Sequence, residues 1–550
     1  MIAERHRETI LVGYLAAFFS LIAFLFFFQR DMVLLYGDAV AHINIARRVF
    51  DSRTPGLKQL GTVWLPLPHL LMIPFLISDW AWQNGLGGSL PSMIAYVAAV
   101  MGLFRLVRDG LLSFVGPVGA STSAPHIAAW FAAITFAANP NLLYMQATAM
   151  TESLYLACFI WAVVFMADFA RQIQAGTFDR KAERSLHWCG LCLAAAMLTR
   201  YDGWFAGAIF SSVVLMLLAG AKFCGAAQIE LKKLRVATIK FVLVVASVPI
   251  FWLAYNAFIY GNALEFATGP YSARAIEQRS TQAGQPPHPG HHNLRVATIY
   301  FIKSAEANLA NGNGQKAWLL LAIAGTAIML GRYRGLGAWL LLWIPLPFYS
   351  LSVAYGGVPI FMPVWWPFSY YNVRYGLQLL PAIVVFTSAA LYFCMTHLAD
   401  RRARLVVVLI AFGFAGSSYI FIWRAQPLCL REAMANSRTR VPFERALAEQ
   451  LQRLPPSSTL IMSIGSSVGA LQRAGIHLNR VIHEGNHGDP NQWGTEGMWK
   501  RALGAPERWA DYAIGFDDDE VTRSARTHHL PALVVVETPG QGRATIYQTK

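Results

Sequence analysis

Long apolar runs recur along most of this chain, and they limit what it can fold into. An α-helix needs about twenty apolar residues to cross the hydrocarbon core of a bilayer. The sequence contains about eleven such runs. Because two of them are short, this number of spans is accurate to within one or two. The pattern predicts a polytopic α-helical membrane protein. The runs lie near residues 10–29, 88–107, 125–139, 148–170, 186–200, 203–220, 239–259, 315–331, 335–354, 376–395 and 404–423.

The composition excludes an ordinary soluble domain. Hydrophobic residues make up 55% of the 550 positions and charged residues 14%, whereas soluble domains contain about 25% charged residues. The formal charge of +15 would suit nucleic acid, but Lys and Arg lie mainly in short loops between apolar runs. That placement is what the positive-inside rule predicts. We therefore expect membrane lipids as partners and no nucleic acid.

The basic loops also predict an orientation. Loops that follow alternate spans, such as 105–108, 180–184, 232–235 and 401–404, should be cytoplasmic together with the N-terminus. An odd number of spans then places the C-terminus outside. The first run is too long for the apolar part of a signal peptide, so we expect it to remain as a transmembrane helix. The protein should lie in the cell (inner) membrane, with outer loops at 30–87 and 260–314.

The composition changes after residue 424. Short strand-like segments at 459–465, 480–485, 510–515, 532–538 and 543–549 alternate with helical patterns. Strands that alternate with helices predict a small α/β domain. We therefore divide the chain into a transmembrane domain, residues 1–424, and an extracytoplasmic α/β domain, residues 425–550, in the periplasm or outside the cell.

A charged segment directly follows the first span. In "DAVAHINIARRVFDS", residues 38–52, Asp38 and His42 lie one helical turn apart, and the pattern is typical of a helix in the membrane interface. On one interpretation Asp38 only caps this helix, and Arg47 and Arg48 contact lipid phosphates. On the other, Asp38 acts as a general base on a hydroxyl acceptor, with His42 beside it. We favour the second because polar residues converge on the same outer face.

Two further outer turns carry charged residues. Glu152 opens a helix after the break at Asn139-Pro140. The helix dipole alone would favour a carboxylate there, but an acid that faces a bundle interior indicates a site. In "LTRYDGW", residues 198–204, Arg200 is a candidate contact for an anion. Asp202 is expected to form an ion pair.

A late span begins with Arg374 among tyrosines, in "SYYNVRYGLQLLP", residues 369–381. On one interpretation Tyr371 and Tyr375 belong to an interfacial aromatic belt and Arg374 extends to the interface. On the other, the guanidinium binds a lipid-linked phosphate in a bidentate manner. Because acidic residues lie on the same outer face, we favour phosphate binding.

The predicted loop 260–314 is long and contains three histidines, His288, His291 and His292. A loop of this length is usually a substrate lid or partly disordered. The histidines would suit a metal ion, but the surrounding Pro and Gly residues make that the less favoured interpretation.

Several of these motifs, in this order, resemble the GT-C membrane glycosyltransferases. The motifs are "YGDAVAH" after the first span, "PLPHLLMIPF" (with His69) at the end of its loop, "NP…TESLY", "LTRYDGW" and "VRYGLQLLP". They are similar to the branch that uses polyprenyl-phosphate sugars and includes protein O-mannosyltransferases and the lipid A aminoarabinose transferase. The resemblance covers roughly residues 1–425.

The resemblance implies an enzyme that moves a hexosyl or pentosyl group from a polyprenyl-phosphate donor to an acceptor on the outer face, with inversion. Asp38 matches the catalytic acidic residue of the first loop, where many members have two acids in a row. Here Ala39 follows, so Glu152 is the candidate second carboxylate. Arg374 matches the residue that binds the carrier phosphate.

The resemblance leaves other points open. Some members of this family use a divalent cation and others do not, and the single acid in the first loop favours metal independence. The acceptor is a lipid, a glycan or a protein, and Arg200, Asp202, Tyr371, Tyr375 and His69 are candidate substrate contacts. The alternative function is a transporter or lipid flippase. Such proteins often carry internal repeats and charges near the bilayer midplane, and the sequence shows neither pattern.

Overall fold

The structure is a computed structural model that describes residues 2–114, 123–223, 231–282, 286–465, 467–486 and 497–550. Its α-helices are numbered α1 to α24 in chain order, and five short 3-10 helices lie between them. The α-helices are Ile2–Phe28, Gly37–Arg48, Leu67–Met72, Asp79–Gln83, Leu86–Leu112, Ser123–Ala137, Pro140–Gln146, Glu152–Gln174, Arg180–Met197, Asp202–Phe223, Leu231–Tyr260, Glu265–Thr268, Ala273–Gln282, Leu294–Leu309, Asn313–Arg332, Pro345–Tyr355, Leu380–His397, Arg401–Arg424, Leu428–Ser437, Arg440–Leu451, Val468–Ala474, Met498–Gly504, Pro506–Trp509 and Glu520–Thr527. The 3-10 helices are Leu57–Leu60, Ile73–Phe75, Arg334–Trp343, Val373–Leu379 and Leu478–Arg480.

Each predicted apolar run is helical over most of its length. Within the described ranges, nine helical segments are long and apolar enough to cross a membrane. The two runs that fall outside this set are the two that the sequence marked as short, α6 (Ser123–Ala137) and α9 (Arg180–Met197). Helices suit this role because their backbone polar groups are satisfied within the segment, where no water is available. The chain is an integral, multi-pass membrane protein, and the predicted fold class is confirmed.

The chain divides into two compact units. The first consists of residues 1–27, 92–147 and 151–432, and it contains most of the apolar helices. The second consists of residues 28–91, 148–150 and 433–550. The second unit therefore combines the segment that follows the first span with the C-terminal part of the chain.

The second unit contains the predicted α/β fold. The five strands, β1 to β5 in chain order, are Leu460–Met462, Val481–Ile482, Tyr512–Phe516, Ala532–Val536 and Ala544–Gln548. They form one sheet in the order β2-β1-β3-β5-β4, with β1 parallel to β2 and β3, and β5 antiparallel to β3 and β4. All five strands were predicted, because each is a short apolar run between turn residues.

The segment 260–314 is more regular than a loop, which corrects the sequence-based expectation. It contains α12, α13 and the 16-residue helix α14 (Leu294–Leu309), whereas residues 283–285 lie outside the described ranges. α14 packs on the 3-10 helix Val373–Leu379. A side chain at Gly376 would overlap the backbone of Ser304, so this contact requires glycine.

A second glycine controls the packing of two apolar helices. A methyl group at Gly325 in α15 would overlap the carbonyl oxygen of Phe386 in α17. Small residues allow such close backbone approach between helices in membranes, where packing drives association.

We predict that Gly325→Ala destabilises the first unit, because one of the two helices must move. Overpacking of this kind costs about 1–3 kcal/mol and should lower the midpoint of thermal unfolding in detergent. Gly331→Ala is the matched control, since it lies in the same helix with nothing within 4 Å of the added methyl group. Equal midpoints for the two variants would contradict this account.

Candidate active site

Five charged side chains from four segments of the first unit converge in its interior. Glu152, the first residue of α8, is fully buried and accepts from Arg200: its Oε1 lies 3.2 Å from Nη1 of Arg200. The same Oε1 lies 3.3 Å from Nε of Arg374. One carboxylate oxygen is therefore shared between two guanidinium groups.

Each guanidinium has a second acidic partner. Nε of Arg200 lies 3.3 Å from Oδ2 of Asp202, and Nη1 of Arg374 lies 3.0 Å from Oε1 of Glu432. Glu432 is fully buried and also accepts the backbone N–H of Asn372 at 2.7 Å. The predicted ion pair of Asp202 is thus present in the structure. We call Glu152, Arg200, Asp202, Arg374 and Glu432 the buried ionic cluster.

Two tyrosines complete the cluster. Nη2 of Arg200 donates to the hydroxyl of Tyr349 at 2.9 Å, and that hydroxyl donates to Oδ2 of Asp202 at 2.7 Å. The guanidinium carbons of Arg200 and Arg374 lie 5.0 and 5.1 Å from the ring centre of Tyr375. These are cation–π distances, so Tyr375 contacts both cations. Tyr371 instead packs on Phe361 and is 38% exposed.

The structure brings together four residues that the sequence proposed separately, Glu152, Arg200, Asp202 and Arg374. Glu432 and Tyr349 were not predicted. Tyr349 lies within an apolar span and Glu432 in the segment that follows the last span, so neither position shows a sequence pattern that indicates a partner. Charges in such surroundings are stable only when they are paired and hydrogen-bonded.

The other predicted residues lie in the second unit. Asp38 is in the first turn of α2 (Gly37–Arg48) and is partly buried, with His42 one turn later. The N-cap position belongs to Tyr36, whose side chain makes no capping hydrogen bond. Asp38 therefore lies inside the first turn of α2 and not at its N-cap position.

His42 and His69 form a buried pair. Nδ1 of His42 lies 2.8 Å from Nε2 of His69, and both rings are at most 2% exposed. One ring must donate and the other accept, so the two cannot both be doubly protonated. Within the described ranges, Nδ1 of His69 has no hydrogen-bond partner, which favours the tautomer in which Nε2 of His69 carries the proton and donates to His42. Burial, and then the nearby charges of His42 and Arg48, lower the pKa of His69 well below its usual value.

Arg47 does not contact lipid phosphates, which corrects one of the two sequence interpretations. It is buried, and its guanidinium binds Asp51 at 2.8 Å, Asp79 at 2.6 Å and the backbone oxygen of Leu76 at 2.5 Å. It also lies 3.1 Å from Nδ1 of His477. Arg47 thus links α2 to distant parts of the second unit.

We predict that Arg374→Met strongly destabilises the first unit. The substitution removes the guanidinium group that binds both Glu152 and Glu432 in the buried ionic cluster, and breaking a buried ion pair in this way costs about 3–5 kcal/mol. In the double variant Arg374→Met/Glu432→Leu both charges are absent, so the midpoint of thermal unfolding should recover part of the loss. Arg424→Met, at an exposed position, is the control. A double variant that is less stable than Arg374→Met would contradict the prediction.

We also predict an acid-sensitive contribution from His69. Its pKa is lowered in the folded protein, so protons bind preferentially to the unfolded state below about pH 6.5. Its contribution is therefore full above that pH and is lost as the pH falls, by up to about 1.4 kcal/mol per pH unit.

His69→Gln keeps an N–H donor for His42 but removes this titration. Unfolding midpoints measured between pH 8 and pH 5 should therefore fall less steeply for His69→Gln than for the wild type. The exposed His529→Asn is the control. If the unfolding midpoint of His69→Gln fell with pH as steeply as that of the wild type, another group would be the cause of the acid sensitivity.

Comparison with solved structures identifies the fold. ArnT from Cupriavidus metallidurans bound to undecaprenyl phosphate matches with a TM-score of 0.53 and 12% identity, over 99% of this chain and 97% of that chain. The apo state of ArnT gives a TM-score of 0.49 and 13% identity, over 96% and 98%. The oligosaccharyltransferase AglB from Archaeoglobus fulgidus, in complex with an inhibitory peptide and a dolichol-phosphate, gives 0.45 and 11%, over 98% and 74%.

No protein-family model and no curated protein matches the sequence. At 12% identity the likeness to ArnT is one of fold. This chain has the fold of ArnT along nearly its whole length, as the resemblance of its motifs implied.

Proposed function

We propose that this protein is a membrane glycosyltransferase that moves a sugar from a polyprenyl-phosphate donor to an acceptor. The observation that carries the proposal is the buried ionic cluster, in which two guanidinium groups are held side by side at one carboxylate and one aromatic ring. Guanidinium groups bind phosphate oxygens in a bidentate manner. The fold supports the proposal, since ArnT is known in complex with undecaprenyl phosphate.

The arginines act on the leaving group. As the bond between the anomeric carbon and the phosphate oxygen breaks, negative charge develops on the phosphate, and Arg374 with Arg200 stabilises it. The carboxylates of Glu152, Asp202 and Glu432 keep both guanidinium groups oriented before the donor arrives. Tyr375, between the two cations, and the exposed ring of Tyr371 are further donor contacts.

Asp38 is the general base. It accepts the proton of the acceptor hydroxyl while that oxygen forms the new bond to the anomeric carbon, and direct displacement inverts the configuration there. His42, one helical turn along α2, orients Asp38 or contacts the sugar, and His69 holds the ring of His42 by their hydrogen bond. Glu152 remains the candidate for a second carboxylate in the reaction.

The location of the reaction is also proposed. Transfer takes place at the outer face of the cell (inner) membrane, with the N-terminus in the cytoplasm and residues 425–550 outside. The acceptor is a lipid, a glycan or a protein. The motifs imply no required metal ion for the transfer, and comparison of the rates with and without added Mg²⁺ or Mn²⁺ in the assay described next tests this.

Turnover in nanodiscs tests the proposal. Purified protein is supplied with a panel of radiolabelled polyprenyl-phosphate sugars, and release of the carrier phosphate is followed, including slow transfer to water. Asp38→Asn should lower the rate by about 10²–10⁴-fold, the usual contribution of a general base, while donor binding is retained. Asp31→Asn is the control, since Asp31 is a nearby exposed carboxylate outside α2.

Other outcomes would change the assignment. Equal rates in the wild type and Asp38→Asn would exclude Asp38 from the chemistry. A wild type that binds none of the donors would contradict the glycosyltransferase. Movement of a bound lipid between leaflets without bond cleavage would instead support the transporter or flippase.

A further inference from the structure

A second cluster of chemically active side chains shares no residue with the buried ionic cluster and lies in the segment before α14. Glu277 belongs to α13, and His288 and His291 lie in the turn that follows residue 285. One ligand atom from each of the three residues lies within 4.8 Å of the other two. Oε1 of Glu277 is 3.2 Å from Nδ1 of His291 and 3.7 Å from Nε2 of His288.

These separations fit a tetrahedral metal site. Zinc binds imidazole nitrogen and carboxylate oxygen at about 2.0–2.2 Å. Two ligands of one tetrahedral ion are then about 3.3–3.6 Å apart. The two measured separations lie close to this range, and the ligand atoms of the two histidines lie within 4.8 Å of each other. An ion would therefore fit between the three side chains after an adjustment of the imidazole rings.

His288 provides an independent observation. Its side chain is 4% exposed, and neither ring nitrogen has a hydrogen-bond partner among the residues that the structure describes. Burial of a polar group without a partner is unfavourable, and coordination of a metal ion would satisfy one of these nitrogens.

The backbone around His288 is also fixed. The N–H of His291 donates to the carbonyl of His288 at 2.8 Å, and the N–H of His292 donates to the carbonyl of Ala354 at 2.9 Å. A side chain at Gly290 would lie 3.2 Å from Nδ1 of His288. Glycine at this position therefore leaves room for the ring.

We propose that Glu277, His288 and His291 bind one Zn²⁺ ion, with water in the fourth position. Two imidazoles and one carboxylate suit zinc, whereas Mg²⁺ and Ca²⁺ prefer oxygen ligands alone. The ion joins α13 to the turn that leads into α14. His292 is exposed and lies outside the triad, although its ring is adjacent to that of His291. The proposal does not depend on the proposed glycosyl transfer.

Zinc binding by the purified full-length protein tests this assignment. Tag-free protein is treated with EDTA, and Zn²⁺ is titrated in competition with a chromogenic chelator. We expect one high-affinity ion per chain. His288→Ala and Glu277→Gln should each weaken binding by more than about 100-fold, while the control His292→Ala binds as the wild type does.

A second measurement covers the case in which His288→Ala does not fold. His291→Gln alters a ligand that is 33% exposed and should fold normally. Zinc should raise the Tm of the wild type and of His292→Ala, but not that of His291→Gln. A wild type without high-affinity zinc, equal losses in His292→Ala and His291→Gln, or displacement of the ion by excess Mg²⁺ would overturn the proposal.

Discussion

The pairing of buried charges is the constraint on which the first unit depends. Glu152 lies between Arg200 and Arg374, and each arginine has a further carboxylate. In a bundle of apolar helices an unpaired charge is strongly unfavourable. These pairs therefore determine how the start of α8, the turn before α10, the 3-10 helix 373–379 and the start of α19 meet.

The same ion pairs determine how the buried ionic cluster could bind an anion. Three carboxylates face two guanidinium groups, so the cations are already neutralised and oriented. In the proposed glycosyl transfer, a carrier phosphate that bound Arg374 would compete with Glu152 and Glu432 for the same N–H groups. A buried carboxylate that lost its cation would be strongly destabilised, so the phosphate would have to share the guanidinium group with these carboxylates.

The sequence was sufficient to predict the individual helices and strands, but not the long-range contacts between them. The apolar runs and the five strands are marked by composition alone, because a span or a strand is defined within a few residues. Glu432, Tyr349 and two partners of Arg47, Asp79 and His477, could not be found in this way, because these contacts join residues far apart along the chain. Glu277 of the proposed zinc site was also not predicted from the sequence, because nothing in the local pattern relates it to His288, eleven residues later.

The two main parts of the second unit are synthesised at different times. Arg47 and Asn44 of α2 contact His477 and Gln472, yet residues 92–432 belong almost entirely to the first unit. About 340 residues must therefore be synthesised after residue 91 before residue 433 appears. At about 5–20 residues per second this takes roughly 20–70 s. Most of the spans enter the membrane during that interval. Arg47 and Asn44 of α2 are buried in the folded protein, but their partners from the C-terminal part of the chain have not yet been synthesised.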